Sequence, residues 1–120
     1  MPSQSEHLYK AVHNKQFADG VEPSTPTSVG WALTALFYSA LHYVEAFNAK
    51  YNCHFSKHED LNRDISRNPQ LQKIFEDYKD LSNFSWNARY QAVHYGAAEL
   101  TEALECHAVI QGHIDTLLAA

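Results

Sequence analysis

An all-α fold, an antiparallel bundle of four to five helices forming one domain over residues 1–120, is what the sequence predicts. Three observations lead there. Apolar residues recur at three- and four-residue steps along most of the chain, nothing alternates with the two-residue period of a strand, and the interruptions between periodic segments are short. With 45% hydrophobic and 19% charged residues and only four glycines and four prolines, the chain has the composition of a globular domain, and 120 residues can bury a core without staples.

The first helix is predicted over about Ser5–Asp19, capped by Ser3 or Ser5, with Leu8, Ala11 and Val12 on one side and Gly20 as the stop. GVEPSTPTS, with two prolines and four hydroxyl residues, reads as a loop whose Thr25 or Thr27 caps the next helix. That second helix should run from about Pro26 to Lys50. Its Trp31, Leu33, Leu36, Phe37, Leu41, Val44 and Phe47 leave little polar circumference, as in a helix surrounded by neighbours. Residues 51–57 connect to a short third helix, His58–Arg67, with Ser56 as its expected cap. Asn68-Pro69 then marks a boundary where a fourth helix begins, continuing through Leu71, Ile74, Phe75, Tyr78, Leu81 and Ser85 towards Arg89. The last helix starts near Gly96 or Ala97, its stripe drawn by Leu100, Leu104, His107, Ile110, Ile114 and Leu117.

Cys53 and Cys106 stand 53 positions apart without a paired-cysteine motif, which argues against a disulfide framework and favours a reducing, cytoplasmic setting. MPSQSEHLYK shows neither a signal peptide nor a lipidation signal. The most hydrophobic segment, Trp31 to Phe47, is 17 residues long and carries Thr34, Ser39, His42 and Glu45, so no membrane span is expected. A net charge of −5 opposes wholesale coating of nucleic acid, yet seven of the nine cations, all three arginines among them, lie between positions 50 and 89.

Three blocks, WALTALFYSALHYVEAF, HFSKHEDLNRDI and YKDLSNFSWNARY, resemble in order and spacing a large group of small bacterial HEPN-domain proteins. The resemblance covers most of the chain. It implies a HEPN-like helical bundle that commonly forms a homodimer, in a family that includes ribonucleases of toxin–antitoxin and defence systems as well as members without known activity. An antitoxin or other protein partner, RNA or a nucleotide are the partners it implies.

The family's catalytic motif is an arginine followed four to six residues later by a histidine, and Arg89-Tyr-Gln-Ala-Val-His94 has that spacing. Arginine would clamp phosphate and histidine would move a proton, as metal-independent RNA cleavage requires. In a continuous helix a five-residue separation puts the two side chains roughly 140° apart, so a joint site calls for a bent segment or a second chain. Tyr90 directly after the arginine and Tyr95 directly after the histidine depart from the pattern of active members. The favoured reading is therefore a non-catalytic homodimeric module binding a nucleotide or partner through His42, His58, Asn62 and Arg63, a cluster the resemblance singles out, with Tyr90 beside Arg89. The alternative is a metal-independent endoribonuclease using Arg89 and His94.

His54 and His58, four apart near Cys53 and Asp60, supply too few clear ligands for a metal site, and neither a metal nor a cofactor is expected. His42 and His107 read as core histidines that must be hydrogen-bonded. Trp31, Phe37, Tyr38, Tyr43, Phe47, Phe75, Tyr78, Phe84 and Trp86 read as packing residues. Phosphate loops, nucleophile elbows and zinc-protease motifs are absent from the sequence.

Overall fold

Each helix begins where the local chemistry provides a start. In the computed structural model, which describes residues 2–120, α1 (Gln4–Asp19) starts behind Ser3, whose Oγ accepts from the Glu6 amide while the Glu6 carboxylate accepts from the Ser3 amide. The same reciprocal pairing, between Thr25 and Ser28, opens α2 (Pro26–Ala49), with proline in the first turn where no amide hydrogen is needed. Then follow α3 (His58–Arg67), a 3-10 turn (Gln72–Ile74), α4 (Phe75–Tyr90) and α5 (Ala97–Ala119). Among the described residues there is no strand, and no helix is long and apolar enough to cross a membrane.

The sequence misreads one cap and one start. Ser56 does not cap α3; Lys57 holds the cap position without a side-chain bond, and Glu59 and Asp60 in the first turn complement the helix dipole instead. The fourth helix does not start at Pro69. Asn68 turns the chain there, its side chain accepting from the Gln70 amide, and the backbone tightens through the 3-10 turn before α4 begins.

α2 is the axis of the bundle and packs against α1, α4 and α5. Its Val29, Ala32, Leu33, Leu36, Ala40, Val44 and Phe47 are buried against Ile74, Tyr78 and Leu81 on one side and Leu100, Ala103, Ile110 and Ile114 on the other, within one continuous core. Each fully buried large aliphatic side chain contributes about 1.5–3 kcal/mol relative to exposure. α1 turns a small-residue stripe towards α2, with His7, Ala11 and Ala18 buried at positions that coincide on a helical wheel.

The end of α2 decides where the following loop goes. Asn52 adopts φ 55°, its amide donates to Ala49 O at 3.1 Å, and the Cys53 amide reaches back to Asn48 O at 3.0 Å. This pair of bonds around a left-handed residue is a Schellman ending. It folds Cys53 and His54 back alongside the last turns of α2, so that His54 lies next to Glu45.

Candidate functional site

Two polar groupings occupy one stripe of α2. Tyr38, His42 and Glu45 are separated by four and three residues and therefore share a helix face. Tyr38, at one end, meets Arg89 from α4; His42 and Glu45, further along, meet α1 and the loop after α2.

At the first end the Arg89 side chain is held by its own helix and by α2. Its Nε donates to Ser85 O at 3.3 Å and its Nη1 to the Tyr38 hydroxyl at 3.4 Å. The guanidinium carbon lies 5.6 Å from the Tyr38 ring centre and 4.9 Å from that of Tyr90, within cation–π range of both. Tyr90 in turn packs on Trp86, with ring centres 4.6 Å apart. Beside Arg89 opens a cavity of about 380 Å³ lined by Pro26, Thr27, Gly30, Trp31, Ala88, Arg89 and Tyr90. α2 and α4 come close on this lining at Gly30, where an added Cβ would stand 3.5 Å from that of Ala88. The lining holds one cation and no acid, and the first turn of α2 brings the positive end of a helix dipole to it.

Two residues assigned to packing behave otherwise. Trp31, 57% exposed, lines this cavity and Trp86, 55% exposed, packs on Tyr90, whereas Phe37, Tyr43, Phe47 and Tyr78 are core residues as expected. Helical spacing within apolar segments does not reveal which positions lie beyond the reach of neighbouring helices. His94 lies in the loop after α4, exposed, because the helix ends at Tyr90. The segment from Arg89 to His94 is thus bent rather than helical. In the same loop Tyr95 turns inward against Phe84 and accepts a bond from Asn87.

The predicted His42 cluster is assembled differently. His42 does not meet Asn62 and Arg63; its partner is His7 of α1, Nδ1 to Nδ1 at 3.1 Å. α3 is anchored by Leu61 and Ile65, and Arg63 stands roughly 200° round the helix from Leu61, on the solvent side. Arg63 pairs with Asp60 at 3.3 Å and borders a separate cavity with Phe55, Asp64 and Arg67. Asn62 lines another, with Phe75, Tyr78 and Lys79. His58 lies towards the first site, its ring 6.3 Å from that of Tyr38 and 6.1 Å from that of Phe37. His54 and His58 therefore serve different surroundings.

His7 and Glu45 are functional candidates that sequence reasoning missed. His7 is 4% exposed and Glu45 6% exposed. His7 Nε2 lies 3.9 Å and His54 Nδ1 3.7 Å from Glu45 Oε2, and this oxygen has no hydrogen-bond partner. Burial raises the Glu45 pKa, opposed by His54, while burial lowers that of His7, and that of His42 to about 4. The available signal was the wheel position of His7 in line with Ala11 and Ala18, which places an imidazole on the face that α1 must bury.

His107 is a core histidine bonded through Nε2 alone, its buried Nδ1 having no hydrogen-bond partner. Ser39 donates its hydroxyl proton to Ala11 O at 2.6 Å, so the 2.8 Å contact with His107 requires the imidazole Nε2–H to donate to Ser39 Oγ.

No family model, no curated protein and no solved structure matches this chain.

Proposed function

We propose that the chain is a HEPN-like homodimeric module that binds a nucleotide, or the end of a single-stranded RNA, in the cavity beside Arg89. The observation that carries this reading is the guanidinium fixed between Tyr38 and Tyr90 at a cavity whose lining contains no acid, in a protein of net charge −5. Two of its nitrogens are engaged with Ser85 and Tyr38, which leaves further N–H donors for phosphate. The first turn of α2 adds favourable potential for an anion, and exposed Trp31 and Tyr90 offer faces on which a base stacks. HEPN membership is supported by the three sequence blocks and by the Arg89-x4-His94 spacing at the end of α4.

Trp31 lines this cavity and the chain's other tryptophan, Trp86, packs on Tyr90 of the lining, so intrinsic fluorescence reports on it. Titration with adenosine monophosphate or a short oligoribonucleotide is expected to quench emission saturably. Arg89→Ala should weaken binding on the order of 10-fold or more, the worth of a charged hydrogen bond. Nucleotide binding with unchanged affinity in Arg89→Ala, or none in the wild type, would sink the assignment.

The ribonuclease reading keeps one specific support: α4 stops at Tyr90, so His94 is free of the angular separation that a continuing helix would impose. Cleavage of mixed RNA in EDTA by the wild type, lost in folded Arg89→Ala and His94→Ala, is its expected signature. Equal cleavage by all three, or none by the wild type, leaves binding without chemistry.

A further inference from the structure

We propose that His7, Glu45 and His54 form a binding site for one divalent transition-metal ion, distinct from the Arg89 cavity and independent of its function. One ligand atom from each of His7, Glu45 and His54 lies within 4.8 Å of the other two. They come from three separate segments, α1, α2 and the loop turned back by Asn52. The two separations from the carboxylate, 3.9 and 3.7 Å, are too long for hydrogen bonds. They are close to the edge of about 3.4 Å that a tetrahedral ion with bonds of about 2.1 Å imposes on its ligands. Movements of a few tenths of an ångström would bring these two edges to that length.

The surroundings are those of a ligand set rather than a surface ion pair. Glu45 Oε2 is buried and unpartnered, a condition that costs free energy unless a proton, a cation or a donor compensates it. His7 is itself oriented: its Nδ1 lies 3.1 Å from His42 Nδ1. When His7 donates in that bond, its Nε2 turns a lone pair towards Glu45. An outer hydrogen bond that fixes tautomer and ring plane is the usual companion of a metal-bound imidazole. His54 is partly exposed, giving the ion an entry path and leaving a fourth position for water. Two imidazoles and one carboxylate select zinc and its first-row neighbours over calcium or magnesium, which prefer all-oxygen shells.

The test uses tag-free protein, with cobalt(II) as a spectroscopic probe and zinc as competitor. The expected result is one cobalt per chain, visible ligand-field absorption abolished by zinc, and a rise in Tm with zinc. His54→Ala, at a partly exposed position, should keep its helical circular dichroism while losing roughly 100-fold in affinity, at least the effect of removing an outer-shell partner. Glu45→Gln should do the same if folded, and His13→Ala and Cys53→Ser should bind as the wild type does. Absence of stoichiometric binding, affinity unchanged in His54→Ala, or loss of binding in Cys53→Ser would overturn the assignment.

Discussion

Ser39 shows how much a single hydroxyl can organise. It ties three helices together, donating to the Ala11 carbonyl of α1 and accepting from His107 of α5 while it sits fully buried on α2. Ser39→Ala would leave the buried imidazole N–H of His107 without an acceptor, so we expect a loss of about 1–3 kcal/mol in urea unfolding. His107 makes a second prediction. Desolvation, reinforced by Lys15 and opposed by Asp19, lowers its pKa to about 4, and Tyr43 packs edge-on against its ring. The folded imidazole is thus harder to protonate than the unfolded one, whose pKa is near 6.5. Its stabilising contribution is complete above about pH 6.5 and is lost as pH falls towards 4, since the unfolded state takes up the proton first. Tm measured from pH 7 down to 4 should decline across that window, and the decline should be shallower in a folded His107→Gln variant. An equal slope in both proteins would remove His107 as the cause.

Among the helices, what the sequence reveals depends on whether the deciding interaction is local. α1, α2, α3 and α5 match their predicted spans within one or two residues because their starts are local chemistry: Ser3, Thr25-Pro26, the first-turn acids Glu59 and Asp60, and Gly96 with Glu99, whose carboxylate accepts from the Gly96 amide at 2.8 Å. The start of α4 was misread because Asn68-Pro69 signals a boundary without specifying the intervening turn. Arg89 was legible through its spacing to His94, and Tyr90 through adjacency to Arg89. The His7–His42 contact was not, since it joins positions 35 apart through the rotation of α1 against α2. The Schellman ending at Asn52 is the element on which the His54 position rests. Asn52→Gly should therefore be tolerated, whereas Asn52→Val, β-branched in the left-handed region, should cost about 1–2 kcal/mol in chemical denaturation and weaken cobalt binding. A valine variant as stable as the wild type would mean that the loop has another way to turn.

At the scale of the whole molecule, the unresolved tension is between a well-buried core and aromatic side chains left outside it. Trp31, Trp86 and Tyr90 are each more than half exposed and belong to the neighbouring α2 and α4, with Val93 of the following loop 40% exposed. Exposed aromatics grouped in this way mark a surface that binds something. In the proposed homodimer a second copy would cover the Trp86 and Val93 part of this surface beside the nucleotide cavity, and a twofold contact there would bring two Arg89 side chains and two His94-bearing loops to one interface. Light scattering after gel filtration should then give twice the 13.6 kDa of the chain at micromolar concentration. Trp86→Ser, which removes an exposed ring that touches Tyr90 rather than the core, should shift the mass towards the monomer without lowering helical content. The two proposed sites respond differently. Cobalt binding by His7, Glu45 and His54 is contained within one chain and should survive dissociation. Any RNA cleavage that needs Arg89 of one copy and His94 of the other should fall with the dimer fraction, and mixing Arg89→Ala with His94→Ala should restore part of it. A monomeric wild type would end the shared-site mechanism and leave the Arg89 cavity as a single-chain nucleotide site.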